Sequence, residues 1–136
     1  MERLAIAAVL VVAAVAVAWA LRRRRPAAPT QPRWPVPGQI DRADFDRPDA
    51  PWLVAVFTSA TCQSCEAALA TASVLASEQV AVQDVSFQTN KHLHRRYSIE
   101  AAPTIVVADR DGVVQASFVG PPSATDLWAA MADLRR

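Results

Sequence analysis

The chain has 136 residues, ten of them proline and two cysteine, with 14 basic against 13 acidic side chains and a net charge of +1. That length holds one domain and an appendage. Residues 1–25 take five of the basic groups and one of the acidic ones, and the nine against 12 that remain offer no basic stripe for nucleic acid.

The appendage comes first. Residues 4–21 carry no charge, and a helix of that length, at about 1.5 Å per residue, spans roughly the thickness of a bilayer core. Trp19 stands near its end, where interfacial tryptophans are favoured. The run predicts an N-terminal transmembrane helix with membrane lipid as its partner. Ala18-Trp19-Ala20 also has the small-x-small pattern of a signal-peptide cleavage site. Against cleavage, Arg22, Arg23, Arg24 and Arg25 follow at once, and their charges oppose translocation of what comes next. We read an uncleaved, single-pass anchor. The same cluster outweighs Arg3 and the amino group on the other side, so the positive-inside rule assigns the C-terminal domain to the cytoplasm.

Residues 1–25 are thus the anchor with its arginine cluster, 26–37 a proline-rich linker, and 38–136 the domain. Residues 26–51 hold seven of the ten prolines, a composition that favours extended polyproline II and a semi-rigid spacer. Residues 40–45 suit a short helix, which leaves little chain for an earlier strand and predicts an abbreviated sheet edge.

The apolar run Leu53-Val54-Ala55-Val56-Phe57 predicts a strand. Cys62-Gln63-Ser64-Cys65 then opens an apolar-periodic stretch through Leu69, Ala72 and Leu75, so a helix over about 62–77 carries both cysteines in its first turn. A helix N-terminus offers unpaired N–H groups and a partial positive charge, which favour the thiolate, the reactive species in disulfide exchange. A domain stapled outside the cell more often shows several spaced cysteines; in a reducing compartment this lone pair rests as a dithiol.

Residues 80–87 read as the next strand, and Asn90 caps a short helix on which Leu93 and Tyr97 share a face. Ala101-Ala102-Pro103-Thr104 leads into a strand over 105–108. Asp109-Arg110-Asp111-Gly112 turns it into another over 113–119. Ser123 and Asp126 form a capping box for a last helix with the stripe Leu127, Ala130, Met131 and Leu134. Trp52 and Trp128 read as packing residues, and Arg95 and Arg96 as a solvated helix face. Cys62, Cys65, His92 and His94 are four potential zinc ligands, but His-x-His lacks the usual spacing. No metal is expected, and the histidines read as surface residues.

Over residues 40–134 this combination resembles the thioredoxin superfamily. The resemblance implies a three-layer α/β sandwich with a central mixed sheet. It places a cis Pro103 opposite Cys62 and Cys65, with the backbone of Ala102 pairing to an extended substrate segment. Tyr97-Ser98-Ile99 resembles the family's approach to that proline, and Gly120 a glycine beside the site. Cys62 is the expected nucleophile and Cys65 the resolving thiol.

Three departures argue against a general-purpose thioredoxin. Thr61 stands where the family has tryptophan, Gln63-Ser64 where it has Gly-Pro, and Val56 where many members bury an aspartate behind the cysteines. Asp84, on the neighbouring strand, is the candidate proton acceptor in its place, reaching the space beneath Cys65 if partly buried; the alternative is that it ends the strand and points to solvent. The expected function is a membrane-anchored thiol–disulfide oxidoreductase, acting as a reductase on protein disulfides and recharged by an upstream electron donor. No bound cofactor is required, because the redox equivalents reside on the two sulfurs. Two rivals stay open: an extracytoplasmic reductase of the cytochrome-maturation kind, and a redox-inert thioredoxin-like binding module.

Overall fold

The computed structural model describes residues 1–23 and 34–136. The chain divides into two compact units, Met1–Arg33 and Trp34–Arg136. The first contains α1 (Glu2–Arg23); Arg24, Arg25 and linker residues 26–33 lie outside the described residues. Side chains of α1 are described from Ala5 to Trp19, and all of them are exposed. Among the described residues no helix is long and apolar enough to cross a membrane.

In the second unit, β1 (Trp52–Thr58) is buried on both faces from Leu53 onward, as an apolar run without alternation requires of a central strand. It lies inside a four-stranded sheet of order β2-β1-β3-β4, with β2 at Val80–Ser86, β3 at Thr104–Asp109 and β4 at Val114–Val119. Strand β1 runs parallel to β2 and antiparallel to β3, and β3 runs antiparallel to β4, so the sheet is mixed as expected. A parallel pair needs a crossover, here α2 (Cys65–Ser73).

Alternation along β1 divides the core in two. Val54 and Val56 pack with Ile105 and Val107 beneath α2 and α4 (Ala124–Leu134), meeting Ala68, Ala72, Leu127 and Met131. Leu53, Ala55 and Phe57 face the other way, onto Phe45, Leu93 and Tyr97. These come from a 3-10 turn at Arg42–Asp44 with its flank and from α3 (Lys91–Arg96) with its C-cap. The result is a three-layer sandwich.

Several boundaries differ from the sequence reading, each for a local reason. Helix α2 begins at Cys65 rather than 62, because Ser64 occupies the N-cap. It stops at Ser73, whose hydroxyl donates to Leu69 O at 2.7 Å; such back-bonding competes with the helical ladder. Asn90 stands at the N-cap of α3 but does not cap it; its amide donates to the Thr89 hydroxyl instead. Residues 40–45 form only the 3-10 turn, capped by Asp41, which accepts from Ala43 N at 2.9 Å. Among the described residues no strand precedes β1, so that edge is abbreviated as expected, and Gln39 makes only an isolated antiparallel bridge to Val113 in the β3–β4 hairpin. Ser123 accepts from Asp126 N at 3.0 Å and starts α4, whose Leu127 and Met131 are buried.

Two buried residues that can carry charge, Arg42 and His94, escaped the sequence reading. Arg42 is 6% exposed and donates to the carbonyls of Ala50, Asp109 and Arg47, tying the N-terminal turn to the end of β3. His94 is 5% exposed, which corrects its reading as a surface residue. Its Nε2 lies 2.7 Å from Val85 O, to which it donates, and Phe57 and Phe87 meet the ring edge to face. Arg96 also does more than face solvent, pairing with Asp44 at 3.2 Å and Asp41 at 3.6 Å. Trp128 is a partial packing residue: it is exposed, with its indole N–H donating to Thr71 O at 3.1 Å.

Candidate active site

The end of β1 delivers a tight loop, residues 59–64, that sets the first cysteine just ahead of α2. Phe87 N donates to Thr58 O at 2.9 Å, prolonging the β1–β2 pairing to the loop's base. Gln88 then accepts from both Ala60 N and the Ser86 hydroxyl at 3.1 Å. Cys62 N donates to Ser59 O at 3.1 Å, closing the turn. Gln88 was not singled out by sequence, since nothing local marks a glutamine that holds a loop 28 residues away.

Cys62 and Cys65 are joined by a disulfide with Cα atoms 5.5 Å apart, the oxidised form of the pair. The two are unequally placed. Cys62 is half-buried in the turn ahead of α2, not within its first turn, whereas Cys65 is the first helical residue and buried. Only Cys62 presents a sulfur that an incoming disulfide could meet. Ser64 leaves its cap hydrogen bond unmade; its hydroxyl lies 3.8 Å from Cys62 Sγ.

Across from the cysteines the Ala102–Pro103 bond is cis. Thr104 Oγ1 donates to Ala101 O at 2.8 Å, and Gly120 N donates to Pro103 O at 2.8 Å. Gly120 makes that contact with φ at +89°, a conformation that suits glycine. Ala101 and Ala102 are half-buried and share a cavity of about 400 Å³ with Cys62, over Phe87, His94 and Ile99. Cys62 and Ala102 are therefore brought together, as the resemblance implied. Pro103 is buried at the start of β3.

A second cavity, about 410 Å³, is lined by Thr58, Cys62, Cys65, Glu66 and Asp84 among others. Asp84 is exposed, so the partial burial anticipated for it is not observed. It nevertheless accepts a 2.5 Å hydrogen bond from Thr58 Oγ1. Thr58 was missed by the sequence reading. Among the described residues no group of three or more His, Cys, Asp or Glu is placed to hold a metal.

The Thioredoxin family model matches residues 42–133. This chain belongs to the thioredoxin family. No curated protein matches it in sequence, but solved structures do in shape. The germline-specific thioredoxin Deadhead of Drosophila melanogaster superposes with a TM-score of 0.56 at 27% identity, over 64% of this chain and 84% of that one. Fasciola hepatica thioredoxin gives a TM-score of 0.55 at 25% identity, over 63% and 83%. A mutant thioredoxin from Halobacterium salinarum, at 21% identity and a TM-score of 0.58 over 78% and 95%, shares the fold. With the family domain in place around a bonded Cys62–Cys65 pair, this member is a thiol–disulfide oxidoreductase.

Proposed function

We propose that this thioredoxin-family chain is a membrane-anchored reductase of protein disulfides, with its redox domain on the cytoplasmic side. The observation that carries the redox part is the asymmetry of the pair, Cys62 open to the groove beside Ala102 and Cys65 buried behind it. An extended substrate segment pairs with the Ala102 backbone, and the Cys62 thiolate attacks one sulfur of its disulfide. A Cys62–substrate disulfide forms, the substrate S–S bond breaks, and the other substrate sulfur leaves as thiolate. Cys65 then attacks Cys62 Sγ, restoring the Cys62–Cys65 disulfide and releasing the second substrate thiol. Two electrons have passed to the substrate, and an upstream dithiol donor must return them.

The anchor rests on sequence: the uncharged run over 4–21 continues past the described side chains of α1 at both ends, and arginines follow it. The described part supports it, since Val9, Leu10, Val11, Val12 and Val15 are all exposed, a surface that suits lipid better than water.

The test is reduction of insulin disulfides by the whole chain in detergent, recharged by dithiothreitol. The wild type should accelerate the reaction and Cys62→Ser should abolish it. Cys65→Ser should instead accumulate mixed disulfides with protein substrates. A wild type no faster than dithiothreitol alone would leave only a binding module.

A further inference from the structure

Val56 and Asp84 are register partners on the parallel strands β1 and β2, so both project to the same face of the sheet. That face is the one beneath α2, because Val56 packs with Ala68 and Ala72. Thr58, two residues beyond Val56, projects the same way and is 7% exposed. Its hydroxyl donates to Asp84 Oδ1 at 2.5 Å, which fixes the carboxylate at the strand end. Both residues line the cavity on which the buried Cys65 opens.

We propose that Asp84, held by Thr58, is the base that takes the proton of Cys65 during resolution of the mixed disulfide. The proposal rests on the reductase reading above and deepens it. Val56, the β1 residue at this level, carries no acid–base group, and the neighbouring strand supplies the carboxylate instead. Asp84 accepts the proton from Cys65 Sγ as that sulfur bonds to Cys62 Sγ and the Cys62–substrate bond breaks. The released substrate thiolate takes a proton from water, and Asp84 returns its own to solvent through the open cavity. Atoms and charge balance, and no further reactant is needed. Glu66 lines the same cavity, but it is exposed on the first turn of α2 and has no strand partner to aim it.

The test isolates that single step. The reduced whole chain in detergent is treated with dithiobis(nitrobenzoate), which forms a mixed disulfide with Cys62 and expels one coloured thiolate; attack by Cys65 on Cys62 Sγ then releases the second coloured thiolate in a first-order phase. Asp84→Asn should slow that second phase at least several-fold near neutral pH. The deficit should close at alkaline pH, where Cys65 loses its proton to solvent. Thr58→Val should slow it less, Asp84→Glu should recover part of the rate, and the first phase at Cys62 should persist in all. Equal resolution rates in wild type and Asp84→Asn across the pH range would overturn the proposal, as would a loss confined to Glu66→Gln. A deficit that persists unchanged at alkaline pH would also overturn it, assigning Asp84 a structural role. A wild type showing no second phase at all would instead remove the reductase reading.

Discussion

The Ser64 hydroxyl lies 3.8 Å from the sulfur of Cys62, and Ser64, the N-cap of α2, makes no side-chain cap hydrogen bond. An N-cap serine ordinarily accepts from a backbone N–H of the first turn. Here the hydroxyl is directed at the more exposed cysteine. Once the disulfide opens, an O–H donor at that place favours the Cys62 thiolate over the thiol.

Ser64→Ala should therefore lower the thiolate fraction of Cys62. A net hydrogen bond of about 1 kcal/mol corresponds to roughly a fivefold slower alkylation near neutral pH. Iodoacetamide labelling of the reduced chain checks this, resolved by peptide. The wild type should label at Cys62 well before Cys65, which is buried. Faster labelling of Cys65 would reverse the roles proposed for the two sulfurs.

Membrane topology gives an independent expectation. With Arg22, Arg23, Arg24 and Arg25 following the uncharged run, alkaline phosphatase fused after Arg136 should be inactive while a cytoplasmic reporter there is active. Replacing the four arginines with glutamine should weaken that preference. Extraction of the chain by alkaline carbonate would remove the anchor, and an active phosphatase fusion would reverse its orientation.

Gly112 ties the N-terminal turn to the hairpin and should not tolerate a side chain. Its φ is +81°, and a Cβ there would stand 2.0 Å from Ile40 O. The same peptides meet in a 2.9 Å hydrogen bond from Ile40 N to Gly112 O. Gly112→Ala combines an unfavourable backbone conformation with a backbone clash and should destabilise by more than about 1 kcal/mol. Because Ile40 is buried, the loss should appear as a lower urea midpoint of the Trp34–Arg136 unit, with insulin reduction at low temperature largely kept.

Much of this architecture is local and therefore legible in the chain. The run Leu53–Phe57 has no polar alternation, Asp109 and Gly112 bracket a hairpin, and Ser123 starts a helix with a clear stripe; each signal lies within one element. The cysteine pair and Pro103 could be placed together through the family pattern. What stayed hidden depends on distant packing. His94 is buried only because Phe57 and Phe87 close on it from two strand ends. Arg42 is buried because three carbonyls from separate segments converge on it. Asp84 was singled out for the right strand, but its exposure and its Thr58 partner follow from the register of β1 against β2, which no single segment encodes.

Tyr97 links the two flanks of the sheet's second face and should make stability fall at alkaline pH. Its hydroxyl donates to Asp44 Oδ2 and accepts from Asp41 N, while Phe45 stacks on its ring. Burial, and then the hydrogen bond to Asp44, push the Tyr97 phenol above its usual value of 10.0. The protonated form is thus the one that folding favours. Below about pH 10 the phenol is neutral in both folded and unfolded chains, and its contribution is complete. As pH rises further the unfolded chain ionises first, and the contribution is lost as pH climbs through the raised folded value. Tyr97→Phe keeps the ring packing but removes the donor to a carboxylate, for a loss of about 1–2 kcal/mol near neutrality. Thermal melts of wild type and Tyr97→Phe should differ at pH 7 and converge above pH 10. A difference that persists undiminished at high pH would mean that the bond the Tyr97 oxygen accepts from Asp41 N, not the proton it donates to Asp44, holds the turn in place.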